Sequence, residues 1–266
     1  MAQYSGYQGG TATGDTSALP SARLFHQLDA YERSGLAYGF FTDFSNFRTG
    51  IPSTTEIYWA GGWKAIGVAT NGIFGQAAVA GSGLTLSTDA ADNDYLHMQK
   101  MFLPFFLGAS NLEFAFEARV KFASIADTKT DVFIGVGNTM TLSTAVPITT
   151  TAGDLATEKF VGFHRDATDG DELNTVHNDA AAAHTILKNG VHTLVADTFV
   201  KIGMRLAGGR LYYTINGLDA VDSVAVTATN FPDDAAMGVL IGQTAAAATG
   251  GLTTISWVKA LQQRQE

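Results

Sequence analysis

Residues 112–122 read Leu-Glu-Phe-Ala-Phe-Glu-Ala-Arg-Val-Lys-Phe, and they alternate without a break. Leu112, Phe114, Phe116, Ala118, Val120 and Phe122 fall on one side; Glu113, Ala115, Glu117, Arg119 and Lys121 fall on the other. Successive side chains of a strand point to opposite faces, whereas a helix would scatter the same residues around its circumference. The segment is therefore expected to be the central strand of an antiparallel sheet, with its apolar face on a core and its polar face wet.

The remaining text supplies what covers that strand. Short strands are expected at 63–69, 72–79, 83–87, 95–99, 111–122, 131–137, 159–164, 184–188, 199–206, 210–216, 237–243 and 252–261, with Gly, Asn and Asp between them. Such spacing reads as a sandwich or barrel. Gly208-Gly209 separates two alternating runs as a tight hairpin turn, and Asn216-Gly217 closes the second of them. The 29 glycines among 266 residues agree with many turns and short strands, so the chain is expected to be all-β.

Residues 19–35 form the exception. Leu24, Leu28 and Tyr31 share a helical face at i, i+4 and i+7, Pro20 stands near the first turn, and Gly35 is placed as a C-terminal stop. His26 beside that stripe is expected to be a packing residue. Residues 36–47 are crowded with Tyr38, Phe40, Phe41, Phe44 and Phe47, which suits a strand entering the main sheet or a surface covered by a partner. Residues 1–18 are Gly, Thr, Ser, Ala and Gln around Tyr4 and Tyr7, too little apolar surface to fold alone. The expected organisation is an extended arm (1–18), a helix and aromatic connecting segment (19–56) and a β-sandwich (57–266).

Charge and composition exclude several roles. A net charge of −9 argues against binding to nucleic acid phosphates, which needs clustered Lys and Arg. Without cysteine there is no disulfide, thiolate metal site or thiol nucleophile. No run of about 18 apolar residues suggests a membrane span, and the first residues lack the basic and apolar regions of a signal peptide. Gly-x-Ser-x-Gly, Walker and dinucleotide motifs are absent from the sequence.

Several pieces carry a family resemblance. Phe-Ala-Phe-Glu-Ala-Arg-Val-Lys-Phe from Phe114, followed by Val-Phe-Ile-Gly-Val-Gly-Asn to Asn138, resembles the paired central strands of concanavalin A-like jelly-roll domains. Val161-Gly162-Phe163, Leu211-Tyr212-Tyr213-Thr214-Ile215-Asn216-Gly217 and Ile255-Ser256-Trp257-Val258-Lys259 are similar to later strands of the same domains. The resemblance covers roughly residues 57–264 and implies a sandwich of two antiparallel sheets. Lectins, laminin-G modules, glycoside hydrolases and tailed-phage virion proteins all use this domain, so the fold does not choose the activity. The whole format of arm, helix and jelly roll is similar to a tailed-phage virion protein of the capsid decoration, cement or head-fibre kind.

Glycosidases of this fold carry Glu-x-Asp-x-(x)-Glu on one strand, flanking the scissile bond. The nearest match is Glu113 to Glu117, with Ala115 where the middle carboxylate belongs, so Glu113 and Glu117 are expected to be solvated and the chain is expected not to be an enzyme. Asp166, Asp169 and Asp171 are candidate Ca²⁺ ligands without EF-hand spacing, and His164, His177, His184 and His192 lack metallohydrolase spacing, so no metal and no cofactor is expected. Tyr58, Trp59 and Trp63, with Tyr95, could stack on sugar, or fill the core.

The expected role is a virion structural protein on the capsid exterior, made in the host cytoplasm. It would bind the major capsid protein or itself, as an oligomer such as a trimer, through Tyr4, Tyr7, Leu24, Phe25, Leu28 and Tyr31. The alternative is a phage adhesin or lectin-like module for a host-surface glycan. Neither nucleic acid nor membrane is an expected partner.

Overall fold

The computed structural model describes residues 19–45, 50, 57–59, 61–67, 72–76, 83–88, 94–101, 105–108, 112–127, 130–138, 142, 147–149, 154–181, 183–220, 223–245 and 250–264. Two antiparallel sheets lie face to face. The first runs in the order β15 (Leu218–Asp219), β14 (Arg210–Ile215), β13 (Val200–Ala207), β8 (Phe114–Phe122), β18 (Leu252–Gln263), β5 (Leu84–Ser87) and β4 (Ile73–Gln76). To it are added β1 (Ala37–Thr42) beside β18 and β16 (Val224–Ala225) beside β14. The second runs β12 (Thr185–Thr193), β11 (Glu172–Asp179), β10 (Lys159–Arg165), β9 (Thr130–Asn138), β17 (Ala236–Ala245), β6 (Tyr95–Lys100), β3 (Trp63–Gly67) and β2 (Ile57–Trp59), with β7 (Phe105–Phe106) on β17.

β8 is central, as its alternation requires. It pairs with β13 through Val200↔Val120 to Leu206↔Phe114 and with β18 on its other edge. Phe114, Phe116, Ala118, Val120 and Phe122 face Val132, Ile134 and Val136 of β9 and Val161 and Phe163 of β10 in one buried cluster. The Gly-Gly turn joins β13 to β14, with Gly208 and Gly209 at φ 58° and 71°, backbone that glycine adopts without a Cβ clash.

The helix α1 (Ala22–Arg33) lies on the outer face of the first sheet. Leu24, Phe25 and Leu28 pack against Ala37, Ala115 and Leu261, and each such burial contributes roughly 1.5–3 kcal/mol. Ala115 is small because the helix sits over it. The helix stops at Ser34, and Gly35 at φ 79° turns the chain into β1, as its position in the sequence suggested.

Each sheet is covered over part of its outer face. On the second sheet Ile66, Tyr95, Phe133, Phe160, Val176 and Leu240 pack beneath Leu142, Ile148 and Leu155. The last two form a bridge closed by Thr149 N–H to the Asp154 carbonyl and Ala156 N–H to the Pro147 carbonyl. Gly162 and Gly135 are directly paired across β10 and β9, and a Cβ on Gly162 would stand 2.6 Å from the Ile134 carbonyl oxygen. Glycine there serves close strand approach.

Three expectations change. The polar side of β8 is not wet along its length, because α1 buries Ala115 and Glu117. The boundary placed at residue 57 is no break in the fold, since β1 pairs with β18 from Ala37↔Gln263 to Thr42↔Val258 and belongs to the sandwich. β11 was missed altogether. Its polar Asn174, Thr175, His177 and Asn178 are all buried, so the strand shows no alternation of apolar and polar residues.

Candidate functional site

The outer face of the first sheet beside α1 combines an open cleft, exposed aromatic surface and uncommitted charge. β18 and β8 are paired there with Trp257 opposite Arg119 and Lys259 opposite Glu117. β1 continues the face, placing Phe41 opposite Lys259 and Gly39 opposite Leu261. Between this edge and the helix segment lies a cleft of about 310 Å³ lined by Pro20, Glu32, Phe40, Phe41, Lys259 and Leu261. Phe41 is 53% exposed, and its ring lies 6.2 Å from that of the buried Trp257. Lys259 pairs with Asp29 of α1 and stands 4.4 Å from the centre of the Phe25 ring. Glu32 is exposed at the rim.

The helix is fixed over this face by a contact that sequence reading did not foresee. Ser21, the residue capping α1, gives its backbone N–H to Glu117 Oε2 at 2.7 Å and its hydroxyl to Glu117 Oε1 at 2.6 Å. The buried carboxylate thus sits at the helix N-terminus, where the macrodipole favours negative charge. Lys201, also buried, donates its ammonium to the Leu19 carbonyl oxygen at 3.2 Å.

Further along β8 the cations find different partners. Lys121 pairs with Asp197 at 3.3 Å, and Arg205 with Asp219 at 2.8 Å while lying 3.9 Å from the centre of the Tyr212 ring. Arg119 is half-buried, with its guanidinium 3.8 Å from the centre of the Phe199 ring. Burial pushes its pKa below the ordinary arginine value, and it keeps its charge. Glu113 and Glu117 are therefore not the solvated pair that the sequence suggested. Glu117 is enclosed by the helix, and burial raises the pKa of Glu113.

The remaining sequence candidates are distributed. Leu24, Phe25 and Leu28, expected to anchor a partner, are turned onto the chain's own sheet and are at most 7% exposed. Tyr4 and Tyr7 lie outside the described residues, as do the side chains of Tyr31 and His26. Tyr58, Trp59 and Trp63 do not make one platform: Tyr58 is 69% exposed, Trp59 packs edge-on against Phe74, and Trp63 is in the core. Period two along β2 turns Tyr58 away from Ile57 and Trp59, which pack on the main cluster.

The acidic loop is organised from within by Arg165. Its buried guanidinium donates to the carbonyls of Gly170, Thr130, Ser124 and Ala126 and to Thr130 Oγ1. Asp166 Oδ1 accepts the N–H and hydroxyl of Thr168, both at 2.8 Å. Asp169 has a raised pKa through desolvation and the nearby Glu172 and Asp171. Among the described residues, no group of three or more His, Asp and Glu side chains is placed to hold a metal ion. His164 is fully buried on β10, its Nε2 3.8 Å from Asp131 Oδ1, and desolvation pushes its pKa down to about 4.

Comparison with known proteins identifies the fold. No family model matches the chain, and no curated protein is similar to it. Among solved structures it resembles a non-specific endo-β-1,3(4)-glucanase of family GH16, with 13% identity, TM-score 0.54, and coverage of 95% of this chain and 98% of that one. It also resembles the catalytic domain of an endo-1,3-β-glucanase (laminarinase) from Thermotoga petrophila, with 9% identity, TM-score 0.54, and coverage of 85% and 97%. Peanut lectin is similar at 13% identity and TM-score 0.53, with coverage of 85% and 97%. The chain has the concanavalin A-like jelly-roll fold, one shared by a lectin and by glucanases.

This overturns the expectation that the chain is not an enzyme. Several solved structures that share its fold are glucanases, so this fold gives no ground for excluding catalysis. The expectation rested on Ala115, and that position lies under α1. A missing carboxylate there carries no information about chemistry elsewhere on the sandwich.

Proposed function

We propose that this chain recognises a glycan in the cleft between α1 and the β1–β18 edge of the first sheet. The observation that carries the reading is the cleft itself, where exposed Phe41 offers an apolar face between the polar ends of Glu32 and Lys259. Ligand sites commonly pair an apolar, aromatic wall with a few polar groups that fix orientation. A fold shared with a lectin and glucanases supports the same reading at the level of class. The test is an array of neutral and acidic oligosaccharides probed with the full chain, with release of reducing ends measured on every glycan retained, so that turnover is read together with binding. Failure to retain any glycan would contradict the proposal.

A second reading, attachment to a virion, draws on the sequence resemblance and on exposed apolar groups in the docking segment. Leu19, Leu36 and Phe41 are 72%, 43% and 53% exposed. In this reading residues 1–18 and that segment meet the major capsid protein or a second copy of the chain on the capsid exterior. Because α1 is packed on the sheet, the informative deletion is residues 1–18 alone. Co-sedimentation with purified virion shells should be lost on that deletion, and undiminished co-sedimentation would exclude the reading.

A further inference from the structure

Among the described residues, Arg119 is a cation on the outer face of the first sheet without a charged partner. Lys259, Lys121 and Arg205 each pair with a carboxylate, Asp29, Asp197 and Asp219 respectively. Among the described residues, Arg119 has no hydrogen bond and no ion pair, and its one polar contact is the face of Phe199. A guanidinium has five N–H donors in a fork that matches a carboxylate, and the contact with a ring face leaves donors available to a ligand.

Arg119 is also joined to the cleft. It is the cross-strand neighbour of Trp257. The Trp257 ring lies beside that of Phe41, and Lys259 is the next residue of β18 on that face. Neighbouring strands lie about 4.8 Å apart, and with the ring contacts at either end Phe41, Trp257, Arg119 and Phe199 form one strip across the sheet, with Lys121 near the far ring at 5.5 Å. Negative charge on the strip is already engaged, Glu117 by Ser21 and Asp197 by Lys121; Glu32 stays exposed at the opposite rim.

We infer that the glycan taken by this face carries a carboxylate, that of a uronic acid residue, received by the Arg119 guanidinium while the neighbouring sugar lies in the Phe41 cleft. This deepens the glycan-binding reading and rests on it. The overall charge of −9 opposes any anion, so recognition depends on this local cation and weakens as salt rises.

The experiment is calorimetric titration of the full chain with tetragalacturonate, with its neutral methyl-esterified counterpart and with sodium sulfate, repeated on Arg119→Gln and on Phe199→Leu, with thermal unfolding to verify that each variant is folded. The native chain should prefer tetragalacturonate over the methyl ester by tenfold or more, and Arg119→Gln should bring that ratio close to one. Phe199→Leu, which leaves the cation without its ring, should reduce the ratio by a smaller factor. Equal affinity for acid and ester, or a ratio that survives Arg119→Gln, would overturn the inference and leave glycan binding standing. Binding of neither sugar would overturn both, and sulfate binding as tight as the tetrasaccharide would reduce the site to a plain oxyanion site.

Discussion

Both carboxylate oxygens of Glu117 are held by Ser21, ninety-six residues earlier in the chain, through the backbone N–H at 2.7 Å and the hydroxyl at 2.6 Å. This pair locks the start of α1 to the middle of the central strand and so fixes one wall of the cleft. Glu117→Ala should lower unfolding free energy by about 1.5–3 kcal/mol, the scale of hydrogen bonds to a charged group. Urea denaturation with hydrogen exchange across α1 measures it. Ser21→Ala, which retains the backbone donor, should cost less.

Arg165 supports the acidic loop in the same way. Its removal leaves the carbonyls of Gly170, Thr130, Ser124 and Ala126 without their shared donor in a buried position. Arg165→Met should destabilise the chain by roughly 3–5 kcal/mol, as when one partner of a buried charged network is deleted. Faster amide exchange over residues 166–171, more than elsewhere, would distinguish a local collapse from a general loss.

His164 makes stability depend on pH. Its folded-state pKa is pushed down to about 4 by burial, with Asp166 opposing and His184 and Arg165 adding to the shift. Between that value and its unfolded pKa near 6.5 the unfolded chain binds the extra proton. The contribution is therefore fully present above about pH 6.5 and is lost as pH falls toward 4, by roughly 3 kcal/mol at most. Burial lowers the pKa of His177, His184 and His192 as well, which adds in the same direction. Unfolding free energies from pH 7 to 4.5 should decline, and His164→Gln should flatten the slope.

Gly162 tests the close approach of β10 and β9. A methyl group there meets the Ile134 carbonyl oxygen at 2.6 Å and Gly135 Cα at 2.9 Å, both backbone in paired strands, and the buried Phe133 ring at 2.9 Å. Gly162→Ala should cost about 1–3 kcal/mol, the usual range for overpacking a filled interior. A melting temperature equal to that of the native chain would show that the strands can separate at no cost.

The fold was legible where one face of a strand is filled with large apolar groups. β8, β13 and β14 announced themselves through alternation and a Gly-Gly turn, and α1 through its stripe and Gly35. Sequence lost the signal where both faces are covered. β11 buries Asn174 and His177 on opposite sides, and no local pattern marks such a strand. The site was less legible for the same reason. The covering of Ala115 and Glu117 comes from α1, far away in sequence, so a wet face was expected where a dry one exists. Aromatic identity in Tyr58, Trp59 and Trp63 could not say which ring stays exposed. Phe41, among five aromatic residues in the segment 36–47, carried no mark separating it from Phe40 or Phe44.

The position of the glycan site is tested most directly by comparing Phe41→Ala with Tyr58→Ala on the same oligosaccharide array. Both rings are exposed, but only Phe41 lines the cleft. The expected result is at least a tenfold loss of affinity for Phe41→Ala, about 1.4 kcal/mol, with Tyr58→Ala close to the native chain. Loss of binding in Tyr58→Ala together with native affinity in Phe41→Ala would contradict the account and return the site to the edge of the second sheet.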